Sequence, residues 1–107
     1  MDLPSPIQAW FDADARRDGE ALVQAFAPDA IVTDEGHTHA GHQAIGAWWR
    51  ETKDKYRTVL EPLAVDAGDG VTIVRARVTG IFPGSPATIG FKFRLECERI
   101  SRLDIGA

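Results

Sequence analysis

The chain has one cysteine in 107 residues, so no disulfide can form within it. That residue, Cys97, lies between Glu96 and Glu98, a poor setting for a thiolate nucleophile, and reads as a reduced structural thiol. Positive charge is also short: 12 Lys and Arg against 16 Asp and Glu give a net charge of −4, which argues against a nucleic-acid binder. No apolar run approaches the roughly 18–20 residues of a membrane span. The opening stretch MDLPSPIQAWFDADARR has neither the basic nor the apolar region of a secretory signal. A cytoplasmic protein with no nucleic-acid or membrane partner is expected. Internal repeats and low-complexity tracts are absent. A 44% hydrophobic and 26% charged composition is ordinary for a globular protein, and the length suits one domain, residues 1–107.

The first half is helical in period. Ser5-Pro6-Ile7-Gln8 has the form of a capping box, with Ser5 as N-cap and Gln8 reaching back. Ile7, Trp10, Phe11 and Ala15 then supply an apolar stripe. Asp18-Gly19 breaks this helix, and Asp18 can cap a short second one running through Phe26 and ended by Pro28-Asp29. Ala30 to Asp34 is β-branched and short, a strand. Glu35-Gly36 turns the chain into a second strand, His37-Thr38-His39. Gly41 opens a third helix with Ile45, Trp48, Trp49, Thr52 and Tyr56 on one face, and with the pairs Glu51–Lys55 and Arg50–Asp54 on the other.

From Thr58 the period becomes two. A strand through Val59, Leu63 and Val65 meets the turn 67–70. A strand from Val71 to Phe82 follows, then the loop 83–86, a strand from Ala87 to Leu95, and a last one from Ile100 to Ile105. Helices first and an antiparallel meander afterwards predict an α+β fold, with three N-terminal helices on one face of a curved, mainly antiparallel sheet. The other face carries Arg75, Arg77, Thr79, Thr88, Lys92, Arg94 and Glu96, either solvated or set against a second copy.

The candidate site residues follow from this layout. Asp34 ends a strand, where it is either a turn residue of Asp34-Glu35-Gly36 or a carboxylate pointing into a partly apolar pocket, where desolvation would make it a usable base. Trp10, Trp48, Trp49, Tyr56, Phe82, Phe91 and Phe93 are either core or the lining of an aromatic cavity. Asp14, one turn after Trp10, is a second pocket carboxylate or a solvated helix charge. His37, His39 and His42 are the only histidines. The spacing of the first two suits a metal, but no further ligand of known motif type follows, so no metal or cofactor is expected. His37 or His39 could instead act as an acid–base partner to Asp34.

The order of elements resembles the NTF2-like (cystatin-like) superfamily, and local wording carries the likeness. Phe26 to Asp34 resembles that group's F-A-x-D-A-x-V-x-D stretch. Gly41-His42-Gln43-Ala44-Ile45, with the aromatic pair Trp48-Trp49, resembles the opening of its third helix. Gly80 to Pro86 and Phe91 to Leu95, followed by Arg99-Ile100, are similar to the last hairpin of small SnoaL-like members. The resemblance runs from Pro6 over almost the whole chain and implies a cone-shaped fold with an internal apolar pocket and dimerisation through the outer sheet face.

Against the ketosteroid isomerases of the same group, the resemblance places Asp34 at the general base, Trp10 at the oxyanion-hole tyrosine and Trp49 at a supporting tyrosine. The second, acidic oxyanion donor falls near Phe91. It thus implies a cofactor-independent isomerase or polyketide-cyclase-like enzyme, with Asp34 as proton-transfer base on a small apolar carbonyl compound and Trp10 and Trp49 orienting it. The acidic O–H donors of the oxyanion hole, usually the largest electrostatic contribution, are replaced by indole and phenyl groups. The competing expectation is a non-enzymatic ligand-binding or dimeric interaction module.

Overall fold

The structure is a computed structural model and describes residues 2–106. Helix α1 (Ser5–Arg16) starts after Pro4, with no side-chain cap. The expected capping box does not form: the Gln8 backbone N–H donates to the Pro4 carbonyl and its side chain donates to Asp12. With Pro6 in the first turn, the helix start is set by fixed φ rather than by a hydroxyl. The buried stripe is Ile7, Trp10, Phe11, Ala13 and Asp14; Ala15, expected on it, is exposed. Helix α2 (Gly19–Gln24) is capped as expected, Asp18 accepting from the Ala21 N–H at 3.1 Å.

Strand β1 (Phe26–Asp34) begins four residues before its expected start, so Pro28 lies within a strand instead of ending a helix. A proline is tolerated there because β2 (His37–Ala40) pairs with β1 only from Ile31 onward, and the β1–β6 register is broken between Phe26 and Ile31. Helix α3 (Gly41–Tyr56) buries Ile45, Gly46, Trp49 and, against expectation, Lys53, while Trp48, Thr52 and Tyr56 are half-buried. Neither Glu51–Lys55 nor Arg50–Asp54 forms an ion pair; these exposed side chains stay solvated.

Strands β3 (Val59–Gly68), β4 (Val71–Thr79), β5 (Ala87–Glu96) and β6 (Arg99–Gly106) complete a six-stranded sheet of order β2-β1-β6-β5-β4-β3. Only the β1–β6 pair is parallel. Strand β4 stops at Thr79 rather than Phe82, because the next two backbone N–H groups leave the ladder: Gly80 donates to Ser85 Oγ and Ile81 to the Tyr56 carbonyl. Register breaks at Pro62/Ala64 and Arg94/Leu95 help the sheet curve. The helices cover its concave side over a core that includes Ile7, Trp10, Phe26, Phe93 and Leu103. The stripe Arg75, Arg77, Thr79, Thr88, Lys92, Arg94 and Glu96 is exposed throughout. Among the described residues no helix is long and apolar enough to cross a membrane.

Candidate active site

Asp34 is the last residue of β1, opposite His37 of β2 on one side and Ile105 of β6 on the other. The backbone turns away at Glu35 and Gly36, both at positive φ, leaving the carboxylate at the end of the sheet beneath α3. There the indole N–H of Trp48 donates to Asp34 Oδ2 at 3.1 Å. Asp34 is half-buried, and burial pushes its carboxyl above the ordinary value. The Trp48 bond opposes this rise, the Glu35 charge adds to it, and the His39 charge and the Glu35 backbone N–H counter it. No cationic side chain pairs with Asp34 among the described residues.

Asp34 lines a cavity of about 360 Å³ between the helices and the sheet. Helices α1 and α3 contribute Trp10, Asp14, Trp48, Trp49, Lys53 and Tyr56; the sheet and the loop 80–86 contribute Leu60, Val78, Phe82, Ile89, Phe91 and Ile105. Exposed Glu35 and Pro83 stand on its rim. The volume is in the range of small-ligand sites, and the lining is largely apolar with a few convergent polar groups.

Those polar groups are of two kinds. Asp14, 3% exposed, and Lys53, 5% exposed, form a buried ion pair at 2.7 Å. Asp14 also accepts the Trp49 indole N–H at 2.9 Å, and Lys53 donates to the Thr58 carbonyl and hydroxyl at 3.0 and 2.8 Å. Burial pulls the Lys53 ammonium down, while the Asp14 charge and hydrogen bond hold it up. This cluster is closed on itself. By contrast, the Trp10 indole nitrogen, on a ring 1% exposed, is buried with no hydrogen-bond partner. Of three indoles around the cavity, two N–H groups are engaged by carboxylates and one is free.

A family model for the SnoaL-like domain matches residues 7–103. The chain belongs to this family. A candidate polyketide cyclase from Sinorhizobium meliloti is 46% identical, with a TM-score of 0.95 over 98% of this chain and 96% of that one. A hypothetical protein of ketosteroid-isomerase-like fold from Catenulispora acidiphila, in complex with trimethylamine, is 20% identical with a TM-score of 0.85 over 99% and 87% of the two chains. A second candidate polyketide cyclase, from Xanthomonas campestris pv. campestris, is 22% identical with a TM-score of 0.82 over 94% and 86%. The last two likenesses show the fold alone. None of the curated proteins matches.

In this SnoaL-like domain, Asp34, Trp10, Asp14, Trp48, Trp49, Tyr56, Phe82 and Phe91 all meet at one cavity. Phe93 does not: it is fully buried, in edge contact with Trp10 and Phe11. Asp14 is no solvated helix charge but a buried partner of Lys53. His37 and His39 lie beside Asp34 in a separate recess, whereas His42 Nε2 donates to the Phe26 carbonyl at 2.8 Å and ties the start of α3 to β1. Among the described residues no group of three or more His, Cys, Asp and Glu is placed to hold a metal ion. Lys53 is the site residue that sequence reasoning missed. It lies four residues after Trp49, on the buried face of α3, a signal available in the spacing.

Proposed function

We propose that this SnoaL-like domain is a cofactor-independent isomerase or cyclase in which Asp34 is the proton-transfer base for a small, largely apolar carbonyl compound. The observation that carries this reading is a half-buried carboxylate without a cationic partner, on the wall of an apolar cavity of about 360 Å³. Desolvation raises its basicity toward the range useful at neutral pH, and the Trp48 N–H fixes its orientation. Asp34 takes a proton from the carbon next to the carbonyl, and the carbonyl oxygen gathers negative charge. Trp10 Nε1–H, buried and without a partner, is the donor we assign to that oxygen; it is weaker than a phenol and must be uncovered as the substrate enters, so modest turnover is expected. Family membership, and the 46% identical relative described as a candidate polyketide cyclase, support this reaction type.

The test is α-proton exchange of cyclohexanone in D₂O and conjugation of 3-cyclohexenone, followed by NMR and absorbance. The wild type accelerates one or both, and Asp34→Asn loses about 10²–10⁴-fold, the usual contribution of a general base. An Asp34→Asn variant of undiminished rate removes Asp34 from the mechanism.

A second, non-enzymatic reading has its own observation. A carboxylate without a counter-ion among Trp48, Tyr56 and Phe82 is a setting that suits a small alkylammonium cation. Calorimetry with choline and its neutral isostere 3,3-dimethylbutanol separates the two readings. Tight binding of choline alone, lost in Asp34→Asn and without ketone turnover in the wild type, makes the domain a cation-binding module.

A further inference from the structure

Asp34 borders two spaces. Besides the apolar cavity it lines a smaller recess of about 110 Å³, whose other walls include His37, His39, Trp48, Glu51 and Lys55. Most of these side chains are exposed, so the recess is the wet side of the carboxylate. Neither histidine forms a hydrogen bond with Asp34. The His39 ring instead lies against Trp48 in a tilted contact, with centroids 5.8 Å apart and planes inclined by 30°. Trp48 is the residue whose N–H holds Asp34 Oδ2. Imidazole, indole and carboxylate are therefore joined by successive contacts along the recess.

We propose that His39 is the positioning residue of this site: in ring contact with Trp48, it holds the indole that donates to Asp34 and tunes that carboxyl through it. The inference rests on reading Asp34 as the cavity's proton acceptor. A protonated imidazole on the face of an indole is attracted to the ring electrons. Its positive charge also favours the ionised carboxylate beyond the ring, consistent with the direction in which His39 acts on Asp34. The other titratable groups on the recess pull in both directions: Glu35 on the turn and Glu51 on α3 are acidic, Lys55 on α3 is basic, and His37 and Tyr56 complete the set. None of them forms a ring contact with Trp48; Tyr56 meets Phe82, and Lys55 lies over Tyr56. His39 alone has a ring contact with the residue that holds the base.

The experiment follows the Asp34 carboxyl carbon by NMR against pH in full-length wild type, His39→Phe, His39→Arg and His37→Gln, with Asp34→Asn assigning the resonance. His39→Phe keeps a ring on Trp48 but removes the charge, so the Asp34 midpoint moves to higher pH by at least ~0.3 of a unit, a two-fold rise in proton affinity. His39→Arg restores a cation on the indole and brings the midpoint back. His37→Gln leaves it in place. His39→Gln, with neither ring nor charge, also loosens the Trp48 bond that favours the ionised carboxyl, so its upward shift is at least as large, and it serves if Phe is not tolerated on β2. Superimposable curves for wild type and the neutral His39 variants overturn the proposal, as does a His37→Gln shift equal to that of His39→Phe. Because no turnover is read, the outcome is separable from that of the base reading. A wild type inert toward ketones but with the linked titration contradicts the reaction alone.

Discussion

Trp48 donates its indole N–H to Asp34, while Trp49, the next residue, donates its own to Asp14. Successive residues on α3 point about 100° apart, so the two indoles reach different parts of the wall of the same cavity and hold one carboxylate each. One carboxylate is neutralised by Lys53; the other has no counter-ion. That inequality separates a structural group from a chemical one, and the predictions below follow from it.

Asp34 binds its proton more tightly in the folded protein than its ordinary value of 3.8 implies. A carboxyl raised by folding contributes stability below its unfolded value and loses it as pH rises through the folded one. The neutral Asp34→Asn variant, which keeps an acceptor for Trp48, therefore melts above the wild type at pH 7. Its advantage shrinks as the pH is lowered and the native Asp34 takes up its proton. Melting curves between pH 4 and 8 check this, and a lower melting temperature for Asp34→Asn at pH 7 contradicts it.

Lys53 and Asp14 are side chains only 6% and 4% exposed, so removing one leaves the other charged and unpaired in the core. Lys53→Met should cost about 3–5 kcal/mol in urea unfolding, as for other broken buried pairs. Adding Asp14→Asn, which keeps an acceptor for Trp49, should recover a substantial part of that loss. A double variant as unstable as the two single losses combined would mean that the pair acts through packing rather than charge.

The free N–H of Trp10 gives a binding prediction. Cyclohexanone should bind more tightly than the hydrocarbon methylenecyclohexane by about 0.5–1.5 kcal/mol, the net worth of one hydrogen bond. Trp10→Phe should erase that preference while keeping the apolar contribution to both affinities. Equal affinities in the wild type would place the donor out of the ligand's reach.

Gly80 fixes the loop that carries Phe82 and Pro83 to the cavity. A Cβ there would stand 2.6 Å from the Tyr56 carbonyl oxygen, the acceptor of the Ile81 N–H, and 3.2 Å from Phe82 and Thr58. The nearest atom is backbone and cannot swing aside. Gly80→Ala should lower stability by about 1–3 kcal/mol through overpacking and weaken ligand binding with it. Gly84→Ala serves as the control: its Cβ meets nothing within 4 Å, although its φ of +88° still carries a smaller strain.

On the outer face we propose a second copy as partner. Arg94 of β5 and Arg102 of β6 stand directly opposite one another there; Asp104 holds Arg102 at 3.0 Å, while exposed Arg94 has no ion pair among the described residues and is the charge open to an acidic group of a second copy. Sedimentation should show a dimer that Arg94→Glu dissociates, by reversing the charge that meets the second copy. A monomeric wild type removes the proposal.

The fold was legible because each element announces itself locally: the two-residue alternation of Val74, Ala76 and Val78, the Asp18 cap, and the turns at Glu35-Gly36 and Asp69-Gly70. The site was legible only in part. From Ile7, steps of three, four and seven residues land on Trp10, Phe11 and Asp14, so the spacing already puts Asp14 on the buried face; its charge made a solvated position the competing reading. Lys53, four residues after Trp49, falls on the buried face by the same spacing and was not singled out at all. What rescues both is a contact between helices 39 residues apart in the chain, and no local pattern encodes that. The start of β1 was hidden for a related reason, since Pro28 is acceptable only where β2 leaves β1 unpaired.

The parallel seam between β1 and β6 has a temporal consequence. Strand β6 is the latest element along the chain, yet it lies between β1 and β5 and joins two halves that otherwise share no ladder. During synthesis the helices and first hairpin, and later the β3–β5 meander, must wait as separate pieces. The cavity wall beside Asp34 is completed only when Ile105 docks against it and Leu103 docks beside Val32. Closure is therefore a late, long-range step. Until the ribosome has released this strand, the nascent chain carries two open edges and no enclosed site, the interval in which association with other nascent chains competes with folding.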